Sequence, residues 1–238
     1  MAIWIIAGLL SGFIKGLCGV GDAPLFSSIM SFSQNNIDIS PVSLLPSIFN
    51  NFYIALRNRK ALRTRIWLPM ALLLIAGTIP GTLLLKNADT RVLKLVFGVF
   101  IMIIGVLMLY NELSQRKIKP SKLLLLTVGI LAGVSSGLFG VGVLLVVYVS
   151  MTTEEMSSFK GNICAIFFAE NVVRVVMYLF LGIFTASVLK NAAVVAPFMW
   201  LGLFLGQRAS SFLDERKARI LLMSVLILSG LAITITNI

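Results

Sequence analysis

Apolar residues run along this chain in long blocks, not in alternation with polar ones. Uncharged or nearly uncharged stretches cover Val42–Leu56, Leu68–Leu85, Val92–Tyr110, Ile163–Ile183, Val188–Leu205 and Ile220–Ile235. Most approach the ~20 residues that a helix needs to cross a bilayer. The period-2 pattern of a barrel strand is weak, so the blocks predict membrane helices, which satisfy their own backbone polar groups in lipid. The opening residues Met1 to Ile6 carry no basic group and lead straight into an apolar block. They predict a first membrane helix, not a cleaved leader.

A glycine pattern occurs twice in these blocks. Residues 8–21 return as residues 129–142, an offset of 121, with eight identities: Gly8/Gly129, Leu10/Leu131, Gly12/Gly133, Gly16/Gly137, Leu17/Leu138, Gly19/Gly140, Val20/Val141 and Gly21/Gly142. A later block pairs at an offset of 125 through Gly77/Gly202, Gly81/Gly206, Asp89/Asp214, Arg91/Arg216 and Gly105/Gly230. The chain therefore reads as an all-α polytopic membrane protein of two homologous four-segment repeats, residues 1–115 and 120–238, joined by 111–122 and packed as one transmembrane domain. Gly8, Gly12, Gly16 and their partners, spaced by four, suit close helix packing. Gly19, Gly21, Gly140 and Gly142 fall off that register and predict a break in the first segment of each half.

Charge decides how that segment is threaded. If every segment simply crosses, the loop lysines and arginines divide 10 to 8 between the two sides. If the first segment of each half enters, breaks and returns, they divide 14 to 4, with Arg57–Arg65, Arg116–Lys122, Lys160 and Arg208–Arg219 together and Lys86, Arg91, Lys94 and Lys190 opposite. The positive-inside rule favours the second arrangement. Three crossings plus a hairpin make each half odd, so the repeats would be inverted. A single long, kinked helix is the alternative.

Composition agrees with a membrane protein: 58% hydrophobic, 12% charged, with a mean hydropathy of +1.01. The net charge of +11 lies in short loops between spans, so it reports orientation and not nucleic-acid binding. The chain has no histidine, and no nucleophile–base or metal constellation is visible, which argues against an enzyme and implies no cofactor and no metal. Cys18 and Cys164 lie in apolar segments and read as small buried hydrophobes. The G-x-x-G-x-G order is wrong for a nucleotide fingerprint.

Four ionisable residues fall inside apolar blocks, where each costs at least ~2.5–3.5 kcal/mol at a helix centre unless paired or hydrated. They are Lys15, Asp22, Glu170 and Arg174. Glu170 and Arg174, spaced i, i+4, either neutralise each other or line a path in which Arg174 attracts an anion and Glu170 takes a proton. Lys15 and Asp22 flank the first break, where the second half has Ser136 and Val143; Lys15 either serves the site or snorkels. Asn50 and Asn51 align with Glu170 and Asn171 at an offset of 120 and either bridge helices or bind substrate. A helix broken in a membrane survives only beside protein or a wet cavity, and its N-terminus there favours an anion. The candidate substrate-binding set is Lys15, Gly19, Gly21, Asp22, Asn50, Asn51, Gly140, Gly142, Glu170, Asn171 and Arg174, with Asp22 and Glu170 as candidate proton carriers. Pro24, Pro46, Pro80 and Pro197 are expected to bend or start helices, and Trp67 and Tyr110 to anchor at the membrane surface.

The paired glycine openings 12–21 and 133–142, Lys160-Gly161-Asn162-Ile163 with Glu170-Asn171, and Pro197 through Gly206 resemble the TauE/SafE sulfite-exporter family of permeases over nearly the whole chain. That resemblance implies a small inner-membrane permease of two related halves that moves sulfite, sulfonates or other small organic anions. The family opening commonly continues with further glycines; here Gly21 is followed by Asp22-Ala23-Pro24 and Gly142 by Val143-Leu144-Leu145. An ionised Asp22 beside an anion path would repel substrate, so a proton-carrying Asp22 is the alternative to a simple anion cradle. The expected function is alternating-access transport of a small, sulfur-containing anion across the cytoplasmic membrane, with proton coupling as a hypothesis. An anion channel or a membrane assembly protein is the alternative. Expected partners are the anion and the bilayer, not nucleic acid; a homodimer is compatible with the sequence.

Overall fold

The computed structural model describes residues 1–34, 36–87, 89–114, 121–142, 144–153, 155–212 and 215–237. Arg116, Lys117 and Lys119 of the second basic loop, Val143 and Asp214 lie outside the described residues. The described residues form helices α1 (Ala2–Cys18), α2 (Asp22–Met30), α3 (Asn36–Arg57), α4 (Thr64–Asn87), α5 (Thr90–Ser114), α6 (Lys122–Phe139), α7 (Leu144–Thr152), α8 (Met156–Phe180), α9 (Ala186–Ala209) and α10 (Glu215–Asn237), with a 3-10 turn at Arg59–Ala61. Stretches within α3, α4, α5, α8 and α9 are long and apolar enough to cross a membrane.

Both glycine breaks are real interruptions. Gly19, at φ +82°, ends α1 by donating its N–H to the Lys15 carbonyl at 2.8 Å, and Gly140, at φ +75°, ends α6 on Ser136 in the same way. Left-handed backbone of this kind is the usual helix C-terminal device and is costly for any residue with a Cβ. Gly21 is also left-handed, at φ +99°, but Gly142 is not among the positive-φ glycines. A Cβ on Gly142 would instead come within 2.9 Å of the Phe167 ring, so that glycine is held by close approach.

After each break the chain doubles back. The rings of Trp4 in α1 and Phe26 in α2 lie 6.0 Å apart, whereas a straight continuation would separate these residues by ~33 Å at 1.5 Å per residue. In the second half the Tyr148 hydroxyl of α7 stands 3.5 Å from the carbonyl of Ser121, the residue that precedes α6, against ~40 Å for a straight rod. The kinked-rod alternative is therefore excluded for both halves. α1, Ala2–Cys18, is ~25 Å long.

The two halves exchange equivalent contacts. α1 packs on α9 and α6 on α4; α3 packs on α8 and α5 on α10. The match extends to single residues. A Cβ at Gly12 would run into the Met199 carbonyl, and one at Gly133 into the Leu74 carbonyl. Gly16 likewise abuts Leu203 and Gly137 abuts Thr78, while Gly202 and Gly206 face Leu9 and Phe13 as Gly77 and Gly81 face Ile130 and Val134. These glycines let backbone meet backbone, the packing mode that replaces hydrophobic driving force between membrane helices. Pro46, Pro80 and Pro197 lie inside α3, α4 and α9, and Pro24 in the first turn of α2.

Candidate functional site

The four intramembrane charges form two buried pairs, one at each break. At the first, Lys15 Nζ lies 3.2 Å from Asp22 Oδ1, and Ser47 Oγ of α3 donates to Asp22 Oδ2 at 3.1 Å. Helix ends explain the placement, since Lys15 sits in the last turn of α1 and Asp22 in the first turn of α2, each complementing the local dipole. Lys15 is 1% exposed and stands 5.7 Å from the centre of the Phe167 ring, so it does not snorkel to the surface. α8 braces this break from the other half. Lys160 Nζ donates to the Leu17 carbonyl at 2.9 Å and Cys164 Sγ to the Gly19 carbonyl at 3.5 Å.

At the second break, Glu170 Oε1 accepts from Ser136 Oγ at 2.9 Å and from Thr78 Oγ1 at 3.3 Å, with Arg174 Nε 3.6 Å away. Arg174 Nη2 donates to Ser40 Oγ at 2.6 Å and to the Tyr178 hydroxyl at 3.0 Å. Ser40 also lies against Gly140, as Lys160 lies against Gly19, so the third helix of each half braces the other half's break. Each hydroxyl offsets part of the cost of burying an ion.

A cavity lies between the breaks, and its wall draws on both halves. Lys15, Gly21, Asp22, Ser43, Ser47 and Asn51 line it from the first half, with Ser136, Gly140, Gly142, Phe167, Glu170, Asn171 and Arg174 from the second. The space open to water centres is about 40 Å³. At roughly 10–15 Å³ per water, that holds a few waters or a small polyatomic ion. Arg174 Nε and Asn51 Oδ1, both on cavity-lining residues, have no hydrogen-bond partner among the described residues. Such atoms cost about 1–3 kcal/mol each unless something in the cavity meets them. One donor that keeps only an ion-pair contact with Glu170, and one unpartnered acceptor, both on residues that line a small polar hollow, define a place for a polar guest.

Nine of the eleven candidate residues from the sequence therefore border one cavity. Gly19 and Asn50 do not; Gly19 terminates α1, and Asn50 is fully buried with neither amide atom partnered among the described residues. Sequence reasoning missed Ser40, Ser43, Ser47, Thr78, Phe167 and Tyr178. A signal existed for the serines, since residues 40, 43, 47 and 51 recur at helical spacing and make one polar stripe on α3.

An all-α bundle with several apolar spans, glycine-broken hairpins and charge buried around a small hollow is a multi-pass membrane transport protein. The chain belongs to the Sulfite exporter TauE/SafE family, whose match covers residues 4–233. No curated protein and no solved structure matches it.

Proposed function

We propose that this protein is a secondary transporter that carries a small anion, a sulfur oxyanion or an organosulfonate, across the cytoplasmic membrane by alternating access. The cavity bounded by both glycine breaks carries this reading. Its two cations are each matched by a carboxylate, so a resident anion meets no net positive charge while all four groups are ionised. Protonation of Asp22 or Glu170 changes that, because it leaves Lys15 or Arg174 uncompensated in a low-dielectric site where an anion is the natural partner. Anion and proton then enter together and leave together. Held by Ser40 and Tyr178, the Arg174 guanidinium offers its Nε–H as a fixed anchor once Glu170 is neutral.

The reciprocal contacts of residues 1–115 and 120–238 support one transport unit of two inverted halves joined by 111–122. With doubled-back first segments, inverted halves would carry the basic loops on one side of the membrane, which the positive-inside rule makes cytoplasmic. Rocking of one half against the other would expose the cavity alternately.

Purified protein in proteoliposomes tests this reading. Labelled sulfite, thiosulfate and a small sulfonate are offered with and without an imposed pH gradient. Saturable flux of at least one, accelerated by the gradient, is expected. Equal rates with and without the gradient would remove proton coupling, and no protein-dependent flux of any of the three would remove the substrate class.

A further inference from the structure

The 3-10 turn after α3 and the first turn of α8 enclose a groove separate from the central cavity. The space open to water centres there is about 660 Å³, within the range of ligand sites. Arg57, Arg59, Lys60 and Arg63 line it, and among the described residues Glu155 supplies the one opposing carboxylate. That carboxylate is already engaged, since Ser157 Oγ donates to Glu155 Oε2 at 3.3 Å.

A loop of surface arginines is ordinarily loose, but this one is fastened to α8. Buried Asn162 accepts from the Arg63 backbone N–H at 3.0 Å, and Ser158 Oγ donates to the Ala61 carbonyl at 3.2 Å. Gly161 admits Asn58, whose Cβ would lie 3.1 Å from any Cβ placed there. Arg57 is held as well, its Nη1 donating to Gln207 Oε1 at 2.7 Å. The Lys160-Gly161-Asn162 run thus has a structural purpose: Gly161 and Asn162 fix the cationic loop, and Lys160, on the same helix turn, grips the end of α1 at the first break.

We propose that this groove is a second anion site, built for a multivalent oxyanion such as a sulfate- or phosphate-type group. Cations carried on a fastened loop lose less freedom on binding than those on a mobile one, and several lining one space bind a dianion better than a monovalent ion. The same chemistry is presented by a soluble oxyanion and by the phosphate of an acidic lipid, since the groove sits where the spans leave the membrane on the basic face.

The test uses the full-length protein in nanodiscs of phosphatidylcholine alone or with one fifth phosphatidylglycerol. Sodium sulfate, titrated at constant ionic strength, is the soluble probe, and lipid co-purifying with the protein is read by native mass spectrometry. Arg59→Gln/Lys60→Gln alters only exposed side chains, and circular dichroism with gel filtration checks its fold. If the occupant is a soluble oxyanion, the double variant weakens sulfate binding at least tenfold in phosphatidylcholine. If it is a lipid headgroup, phosphatidylglycerol suppresses sulfate binding to the parent, and the variant loses the retained acidic lipid. A folded variant that matches the parent in sulfate affinity and in retained phosphatidylglycerol overturns the proposal.

Discussion

Gly140 and Gly182 both adopt left-handed backbone, at φ +75° and +68°, yet only one of them sits at the cavity. Alanine at either position pays the left-handed penalty of roughly 1–2 kcal/mol. At Gly182 that is the whole cost, because nothing lies within 4 Å of the added Cβ. At Gly140 the Cβ would come within 2.9 Å of Ser40 Oγ and 3.2 Å of Arg174 Nη2. Those two atoms are themselves joined by a 2.6 Å hydrogen bond, so the methyl group must push the guanidinium off its serine or move the serine off the guanidinium. Losing one charge-assisted bond in a buried site is worth about 1.5–3 kcal/mol, which corresponds to ten- to hundredfold in binding or rate. The comparison uses unfolding of both variants in detergent and sulfite flux in proteoliposomes. Gly182→Ala is expected to transport within twofold of the parent, and Gly140→Ala to lose at least tenfold while remaining folded. Equal flux from the two variants would refute the claim that the second break positions Arg174 for transport.

Asp22→Asn should destabilise the protein by about 3–5 kcal/mol in denaturant unfolding because it strands the Lys15 ammonium, and Lys15→Met/Asp22→Asn should recover more than half of that loss. Gly12→Ala and Gly133→Ala each drive a Cβ into a backbone carbonyl that cannot rotate away, so both should cost about 1–3 kcal/mol or more, and agree within about 1 kcal/mol if the halves are equivalent. Thermal unfolding in micelles reads the pair. Phe32→Cys, on an exposed residue after α2, should label with an impermeant maleimide from the same side as a tag on Met1, with Phe212→Cys labelling from the opposite side; Cys18 and Cys164 are buried and should stay silent. Labelling of Phe32→Cys opposite the Met1 tag would contradict the hairpin.

The repeated glycines made the matching helix contacts legible, because a seam where backbone meets backbone leaves no room for a side chain. The offset of 121 for α1 and 125 for α9 against α4 maps directly onto the mirrored contacts of Gly12 with Met199 and Gly133 with Leu74. Buried charge was legible for a similar reason, since an ion in lipid must have a purpose or a partner. Its partners were less so. The i, i+4 spacing announces Glu170 with Arg174, whereas Lys15 meets Asp22 only because the chain reverses at Gly19 and Gly21. Hydroxyls were the hardest to read: Ser11 and Ser224 bond to their own helix, and nothing in composition separates them from Ser40 or Ser136. The direction taken after each break was also hidden, because a glycine turn is compatible with a kink or a reversal until Trp4 is seen against Phe26.

Sulfite counterflow tests the account most directly. Proteoliposomes loaded with unlabelled sulfite and diluted into a trace of labelled sulfite should accumulate label transiently above equilibrium, as a carrier with one alternately exposed site requires. Arg174→Gln protein, reconstituted to the same density and shown to be folded, should fail to do so. Label that only equilibrates without overshoot in the parent, or an overshoot that persists in Arg174→Gln, would contradict a shared anion site between the two glycine breaks.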